Sequence, residues 1–220
     1  MVDAHQRERM EKHLSLVIEM NKRINLTRVD SLEAGRVLHI EDSLAGLQEV
    51  NESIDGLYAD LGTGAGFPGI EIAIATGRPT LLVDSVEKKV KALESILDSL
   101  ELSDQVNTYA GRIEDLSLEQ PEEFSVVTAR ALTALPSLIE LASPLLKPNG
   151  RIVCYKSAQY HDELDHALSI QDKLGMKHVS TRMLELSDGT PRSIIVFEKA
   201  AEPLVKLPRR PGMAQKRPYK

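Results

Sequence analysis

The stretch Leu57–Gly69 has the sequence LYADLGTGAGFPG, and it decides the fold of this chain. It begins as a short apolar run that we expect to form a buried strand ending at Asp60. The glycines that follow let the backbone turn tightly and approach a ligand where a Cβ would collide; they are Gly62, Gly64 and Gly66. Pro68 suits the first turn of a helix that continues through Ile74. This order predicts a ligand-binding loop at the carboxyl end of a parallel strand, where open α/β sheets hold small molecules.

The spacing of the glycines indicates which ligand the loop could hold. A dinucleotide-binding loop has the pattern G-x-G-x-x-G, and here Phe67 occupies the third glycine position. The observed pattern, D-x-G-x-G-x-G, resembles instead the first motif of class I methyltransferases that use S-adenosylmethionine. Asp60 would then place negative charge near the sulfonium, and Asp84, at the end of the next predicted strand, would accept hydrogen bonds from the ribose. The alternative is a glycine loop that only caps a helix.

Length and composition limit the class of protein. The 220 residues are enough for one domain with a continuous core. The single cysteine, Cys154, excludes a disulfide framework and a cysteine-based zinc site, and we predict no bound metal. The sequence has no signal-peptide pattern and no apolar run near the length of a membrane span. We therefore expect a cytoplasmic protein that does not contact a membrane.

The charge of the chain is distributed unevenly. The net formal charge is −6, yet the segment Lys199–Lys220 contains seven basic residues and one acidic residue. A basic tail on an acidic body is typical of a protein that approaches a polyanion from one side. Within this tail we predict Arg209 and Arg210 as phosphate contacts, because a guanidinium fork matches phosphate geometry. The alternative is a disordered, solvated tail without a ligand.

Strand and helix patterns alternate along most of the chain. A helical period with one apolar stripe covers His5–Arg23, and a second helical region includes Val37–Ile40. Strands are predicted at 57–60, 79–84, 106–111, 124–130, 151–156, 179–186 and 192–198, with helices between them at 70–74, 87–100, 112–115 and 132–146. The last two strands flank a turn, as a β-hairpin does. This order predicts a three-layer α/β/α sandwich with a mostly parallel sheet and an antiparallel element at one edge.

Charged residues end three of the predicted strands. They are Asp84, Arg130 and Lys156, and the carboxyl ends of parallel strands converge on one crevice of an open sheet. We therefore expect these side chains and the glycine loop to form one site. His39 and Asp42, three residues apart on a predicted helix, share a face and could line its rim. A hydrogen bond between two helices is the alternative for this pair.

Absent motifs narrow the chemistry. Methylation of an exocyclic amine in this fold usually relies on a D/N-P-P-Y/F segment after the fourth strand, and the sequence there is Thr128-Ala-Arg-Ala-Leu132. Methylation at cytosine C5 requires a cysteine nucleophile, whereas Cys154 lies inside an apolar strand pattern and is predicted to be a core residue. These absences leave open the methylation of an acceptor that already carries a lone pair, since attack by such an atom on a methyl group needs alignment and little general base catalysis.

The motifs together resemble a known family over nearly the whole chain. In order, they are Asn25-Leu-Thr27, His39-x-x-Asp42-Ser43-Leu44, Asp60-Leu-Gly-Thr-Gly-Ala-Gly-Phe-Pro-Gly69, Asp84-Ser85 with Lys88 and Lys89, Arg130-Ala131, Lys156, Arg192-Ser193 and Pro208-Arg-Arg-Pro-Gly212. This set is similar to that of the bacterial small-subunit (16S) ribosomal RNA methyltransferases that act on guanine N7, also called glucose-inhibited division protein B. The sequence departs from the family's usual residues at Met20, Ser157 and Pro191.

This resemblance implies a class I methyltransferase fold with a seven-stranded, mostly parallel, Rossmann-like sheet. The expected domain covers residues 1–200, with N-terminal helices in 1–50, the core in 55–200 and a basic tail in 201–220. The expected cofactor is S-adenosylmethionine, and the expected partner is small-subunit ribosomal RNA, within a ribonucleoprotein particle and bound by a monomer.

The resemblance also implies roles for individual residues. S-adenosylmethionine is expected to contact Gly62, Phe67, Ile113, Glu114 and Arg130, with Asp84 and Ser85 near its ribose and Asp60 and Gly64 completing the loop. Arg130 is the expected catalytic residue, and it would hold cofactor or base without abstracting a proton. The residues expected to face the RNA are His39, Lys156, Arg192, Arg209 and Arg210.

Two rival functions belong to other classes. A nicotinamide oxidoreductase would need glycine in place of Phe67 and a proton-relay Tyr or His, and the sequence indicates neither. A non-catalytic ribosome-binding or assembly factor could keep the cofactor loop without turnover. Methyl transfer measured together with cofactor affinity separates this second rival from an enzyme.

Overall fold

The computed structural model describes residues 2–220 as a seven-stranded sheet covered by helices on both faces. The strand order is β3-β2-β1-β4-β5-β7-β6. The strands are β1 Leu57–Leu61, β2 Thr80–Asp84, β3 Val106–Ala110, β4 Phe124–Arg130, β5 Leu146–Lys156, β6 Met176–Glu185 and β7 Pro191–Lys199. Strands β1 to β5 pair in parallel, and β7 pairs antiparallel with both β5 and β6. The predicted mostly parallel sheet with an edge hairpin is therefore confirmed.

Two helical layers enclose this sheet. The α-helices are α1 Ala4–Asn21, α2 Leu32–Gly35, α3 Asp42–Leu44, α4 Leu47–Asn51, α5 Gly69–Thr76, α6 Glu87–Ser99, α7 Ile113–Glu119, α8 Leu135–Ala142, α9 His161–Ile170 and α10 Met213–Lys216. Apolar residues of α1, α5 and α6 form one core cluster, and apolar residues of α7 to α10 form another. The sheet separates the two clusters, which gives the predicted three layers.

The N-terminal extension supplies a layer of helix that the alternating α/β pattern does not require. Helix α1 begins at a capping box in which Asp3 and Gln6 exchange side-chain to backbone hydrogen bonds. Its apolar stripe, predicted from the sequence, is buried at Met10, Leu14 and Val17. A π-helical turn follows at Arg36–Glu41, and such turns often occur at functional sites. It brings His39 to the carboxyl edge of the sheet.

Several elements differ from the sequence prediction, and two of them are helices at the carboxyl edge of the sheet. Helix α8 starts at Leu135 and not at 132, because Ala131 has a left-handed backbone (φ +53°) that ends β4 in a turn. Helix α9 was not among the predicted elements, although its buried Ala167 and Ile170 lie three residues apart on one face. Both differences matter for function, since residues 131–135 and α9 border the carboxyl edge of the sheet.

The C-terminal residues 201–220 pack onto the domain. Val205, Leu207 and Tyr219 lie against the core cluster of α7 to α9, and Ala214 is buried within it. The alternative of a disordered tail is therefore wrong, while the boundary at residue 200 stays a prediction. None of the helices within 2–220 combines the length and apolar character needed to cross a bilayer.

Candidate active site

The glycine loop after β1 is held by backbone and by one buried carboxylate. Gly62, Gly64 and Gly66 all have positive φ, at +71°, +59° and +94°, which side chains with a Cβ rarely adopt. The amides of Gly62 and Thr63 donate to the Val83 carbonyl at 2.9 and 3.0 Å. The loop is thus fixed to the end of β2, and it follows the carboxyl end of β1, where the sequence predicted it.

Asp60 braces this loop from inside the protein. Its side chain is fully buried, and its two oxygens accept hydrogen bonds from the Gly69 amide at 3.0 Å and the Thr128 hydroxyl at 2.7 Å. Burial raises the pKa of the Asp60 carboxyl. Its oxygens point to the loop and to β4, and the expectation that its charge lies near the sulfonium stays a prediction.

A cavity of about 230 Å³ opens beside the loop, and we call it the glycine-loop cavity. It lies at the ends of β1 to β4. Six of the predicted cofactor residues line it, namely Gly62, Gly64, Asp84, Ser85, Ile113 and Glu114. The structure therefore brings together most of the predicted cofactor set. Ala131, Leu132 and Gln215 also line it.

The lining of the glycine-loop cavity is chemically suited to a nucleoside cofactor. A Cβ on Gly64 would meet no protein atom closer than the Gly62 carbonyl at 4.0 Å, so it would project into the cavity. Asp84 is oriented by the amides of Gly64 and Val86, which donate to its two oxygens at 3.0 and 2.9 Å. A fixed carboxylate at this strand end is the group that accepts ribose hydroxyls in comparable folds.

A second cavity of about 480 Å³ adjoins the first, and we call it the arginine cavity. The buried Asp42 carboxylate lines it and forms ion pairs with Arg130 Nη1 at 3.0 Å and with Arg192 Nε at 2.8 Å. His39 and Lys156 also line it. The predicted rim of His39 and Asp42 therefore exists, and it is joined to two arginines from distant parts of the chain.

His39 is held as a neutral ring in the arginine cavity. Its Nδ1 lies 3.4 Å from Arg130 Nη2, and its Nε2 lies 2.8 Å from the Thr27 hydroxyl. A guanidinium only donates, so Nδ1 accepts and Nε2 carries the proton. Burial, followed by the charge of Arg130, lowers the pKa of His39 to about 4.

Phe67 lies beneath the arginine cavity and does not line the glycine-loop cavity. Its ring stacks between His13 and His39, with both ring centroids 4.3 Å away, and it is 4% exposed. Arg130 Cζ lies 5.9 Å from the Phe67 ring centroid. Arg130 lines the arginine cavity and does not line the glycine-loop cavity. The structure therefore separates these two residues from the other predicted cofactor contacts.

Ala131 lines both cavities and marks where they meet. Its φ of +53° is unusual for a residue with a Cβ, and such strain persists when the surrounding structure enforces it. A group bound in one cavity would therefore lie next to a group bound in the other. This adjacency is the geometry that a transfer reaction requires.

Several functional candidates were missed by the sequence analysis. Glu163 of α9 pairs through Oε2 with Lys156 Nζ at 2.7 Å, and the same oxygen accepts a hydrogen bond from the Leu135 amide at 2.9 Å. His13 of α1 is fully buried, contacts Glu71 at 2.7 Å and donates from Nε2 to the loop carbonyl of Ala65 at 3.0 Å. The apolar stripe of α1 could have indicated that His13 is buried, but not what it contacts.

The two tail arginines have different surroundings. Arg209 forms a bidentate ion pair with the buried Glu140, at 2.7 and 2.6 Å, and stacks 4.1 Å from the Tyr219 ring centroid. It is therefore not the free phosphate contact that we expected, because its fork is occupied within the chain. Arg210 is exposed.

Two other kinds of reactive group are a cysteine nucleophile and a metal ion. Cys154 is fully buried in β5, and burial raises the pKa of its thiol to about 12, so a thiolate nucleophile is disfavoured there. No group of three or more His, Cys, Asp or Glu side chains within the described part of the chain could hold a metal ion.

Comparison with solved structures gives the same fold. The O-methyltransferase from Bacillus cereus, solved in complex with SAH, is 16% identical with a TM-score of 0.61, and the match covers 86% of this chain and 91% of that one. A precorrin-6y C5,15-methyltransferase from Geobacter metallireducens is 16% identical with a TM-score of 0.56, covering 71% and 87%. At this identity the likeness shows the predicted class I methyltransferase fold alone.

Comparison of sequences gives the family. Residues 6–192 match the sequence model of the GidB family, described as rRNA small subunit methyltransferase G. A ribosomal RNA small subunit methyltransferase G from Alkaliphilus metalliredigens is 34% identical over 100% of this chain and 93% of its own length. That of Streptococcus gordonii is 34% identical over 97% and 91%. The chain therefore belongs to the rRNA small subunit methyltransferase G family, as its motifs predicted.

Proposed function

We propose that this protein transfers the methyl group of S-adenosylmethionine to N7 of a guanine in small-subunit (16S) ribosomal RNA. The observation that carries the proposal is the junction at Ala131 of the glycine-loop cavity and the arginine cavity. Family membership supports ribosomal RNA as the substrate, since relatives across the whole chain are named for it.

The residues of the glycine-loop cavity would hold the cofactor. Bound there, S-adenosylmethionine supplies an electrophilic methyl group on a sulfonium. The glycine loop provides close backbone approach, and Asp84 offers a carboxylate that two backbone amides already orient. Glu114 is 6% exposed and lines the same cavity near the end of β3. These residues bind and orient, and none of them needs to exchange a proton.

The arginine cavity suits an acceptor that carries its own lone pair. Guanine N7 is such an acceptor, so alignment is the main requirement. Arginine is a common partner of guanine, and a guanidinium that donates to O6 leaves the N7 lone pair free to attack the methyl group. Arg130 and Arg192 both line this cavity. Asp42 fixes the orientation of the two guanidinium groups. We assign Arg130 to holding the base, with no role as a proton acceptor.

The charges of the arginine cavity bear on a purine that becomes cationic when N7 is methylated. Asp42 and Glu163 place two carboxylates there, and they offset two of the three positive charges of Arg130, Lys156 and Arg192. His39 stays neutral at physiological pH because its pKa is about 4, so it adds no repulsion.

The RNA partner would approach the carboxyl edge of the sheet. His39, Lys156 and Arg192 lie at the mouth of the arginine cavity, and Arg210 is exposed on the C-terminal segment. We further propose that the substrate is a ribonucleoprotein particle, that the enzyme acts as a monomer and that it works in the cytoplasm.

An in vitro methyl-transfer assay tests the proposal. Small subunits and deproteinised 16S rRNA from a strain lacking this protein are incubated with radiolabelled S-adenosylmethionine, and the modified nucleoside is identified after digestion. We expect labelled N7-methylguanosine from at least one substrate. Cofactor binding without any methyl transfer would favour the non-catalytic ribosome-binding alternative.

A further inference from the structure

The C-terminal segment, which we define as Arg209–Lys220, is bound to all three helices on its face of the sheet. Arg209 pairs with Glu140 of α8, and the Ala214 carbonyl accepts from the Ser137 hydroxyl at 2.7 Å. The Tyr219 carbonyl lies 2.6 Å from His166 Nε2 of α9. These contacts, spread along the segment, fix its position relative to the sheet edge.

One contact of the C-terminal segment reaches a predicted cofactor residue directly. The Gly212 amide donates to Glu114 Oε1 at 2.7 Å. Gly212 has a φ of +79°, so the turn that directs its amide toward Glu114 favours glycine. Glu114 Oε2 accepts no hydrogen bond from residues 2–220. The segment therefore orients this carboxylate and leaves its second oxygen for a ligand.

A second residue of the segment forms part of the cavity wall. Gln215, on the short helix α10, lines the glycine-loop cavity. Its side chain is exposed and makes no hydrogen bond to another described residue. A carboxamide both donates and accepts hydrogen bonds, so Gln215 can pair with either kind of polar group on a ligand.

We propose that the C-terminal segment is a wall of the cofactor site, with Gln215 contacting bound S-adenosylmethionine and Gly212 positioning Glu114. The Arg209–Glu140 ion pair holds this wall in place, since Glu140 is 3% exposed and has Arg209 as its cation. This role differs from an RNA anchor, because it makes cofactor affinity depend on the segment. The inference rests on the proposed cofactor and is independent of which base is methylated.

Calorimetric titration with S-adenosylhomocysteine tests the inference without any turnover. The full-length protein is compared with the Gln215→Ala and Arg209→Ala variants, and Lys216→Ala is the matched control on the same helix, since Lys216 does not line the cavity. Loss of one hydrogen bond predicts about three- to ten-fold weaker binding by Gln215→Ala, with Lys216→Ala unchanged. Arg209→Ala is expected to weaken binding as well, because the wall loses its anchor.

Thermal unfolding without ligand separates this role from general destabilisation. Gln215→Ala should keep the wild-type Tm, since the side chain is exposed and makes no hydrogen bond to residues 2–220. Unchanged S-adenosylhomocysteine affinity in Gln215→Ala would contradict the proposed contact between Gln215 and the cofactor. An Arg209→Ala variant with a lowered Tm but wild-type S-adenosylhomocysteine affinity would contradict the claim that the C-terminal segment is a wall of the cofactor site. Either result leaves the methylated base, and thus the proposed function, untouched.

Discussion

The glycine-loop cavity and the arginine cavity share Ala131 but are built in different ways. On its loop side the first is built from backbone: two glycines of positive φ, Gly62 and Gly64, and amides that fix Asp84. The second is built from side chains, with Asp42 from the N-terminal extension joining Arg130 of β4 to Arg192 of β7. The first cavity thus follows from the fold, and the second follows from what this chain adds to it.

This difference teaches where specificity lies. Contacts made by the backbone of the loop tolerate sequence change as long as the glycines remain, which suits a cofactor common to many methyltransferases. A cavity built on one buried carboxylate depends on each of its partners, because removing one leaves buried charge with less compensation. We therefore expect changes in the glycine-loop cavity to alter cofactor affinity and changes in the arginine cavity to alter turnover.

The largest expected effect comes from filling the glycine-loop cavity. Gly64→Val adds a β-branched side chain at φ +59°, in a direction that faces open space. We expect affinity for S-adenosylhomocysteine to fall at least about 100-fold from the combined strain and lost volume. Gly77→Val is the matched control, since Gly77 also has positive φ (+70°) with no atom within 4 Å, but lies away from both cavities. Equal affinity losses in the two variants would contradict the account.

Removing the Arg130 guanidinium from the arginine cavity should separate turnover from cofactor binding. Arg130→Ala leaves Asp42 with Arg192 and removes the group that orients the base. We expect kcat to fall about 100-fold, while S-adenosylhomocysteine affinity changes by less than about three-fold, since Arg130 does not line the glycine-loop cavity.

The control for this variant is Arg151→Ala. Arg151 pairs with Glu198 on the same sheet, away from both cavities, and its loss should leave kcat unchanged. Full turnover by Arg130→Ala would remove Arg130 from the mechanism. A large loss of cofactor affinity would instead return it to the cofactor site.

Protonation of His39 provides a smaller test of the arginine cavity. Its pKa is about 4 in the folded protein and 6.5 without the fold, so between these values the unfolded chain binds more protons. Its contribution to the free energy of unfolding is therefore intact above pH 6.5 and decreases as the pH falls toward 4, by about 1 kcal/mol per pH unit. Chemical denaturation of wild type and His39→Gln from pH 4 to 7 measures this. A pH-independent difference between the two proteins would contradict the neutral, buried ring.

The smallest expected effect concerns the two tail arginines. Arg210 is exposed, whereas Arg209 is paired with Glu140. If Arg210 contacts phosphate, Arg210→Ala should reduce the slope of log affinity against log salt for small subunits by about 0.7 to 0.9. Arg209→Ala should leave the slope unchanged. The reverse pattern would restore the original expectation that Arg209 binds phosphate.

The sequence predicted the glycine-loop cavity better than the arginine cavity, and the reason is physical. Glycine spacing, the apolar run of β1 and the acid at the end of β2 are local signals, and they act through backbone geometry. Even there, the pattern could not reveal whether Asp60 lines the cavity or braces the loop, because a carboxylate can do either. Its burial decided the matter, and burial is a property of the fold.

The contacts of the arginine cavity and of the C-terminal segment join residues far apart in the chain. Arg192 lies 150 positions from Asp42, and Arg209 lies 69 positions from Glu140. No local pattern specifies such pairs. The sequence analysis could place His39 and Asp42 on one face and Arg130 at a strand end, but the ion pairs between them depend on tertiary packing. Missing helix α9 also hid Glu163.

The central claim is tested most directly by mass-spectrometric mapping of 16S rRNA from three strains. They carry the wild-type protein, no copy of it, or the Arg130→Ala variant. The account predicts one N7-methylguanosine that is present with the wild-type protein, absent without it and strongly reduced with the variant. An unchanged set of N7-methylguanosines in the strain without the protein, or the loss of N6-methyladenosine or C5-methylcytidine instead, would contradict it.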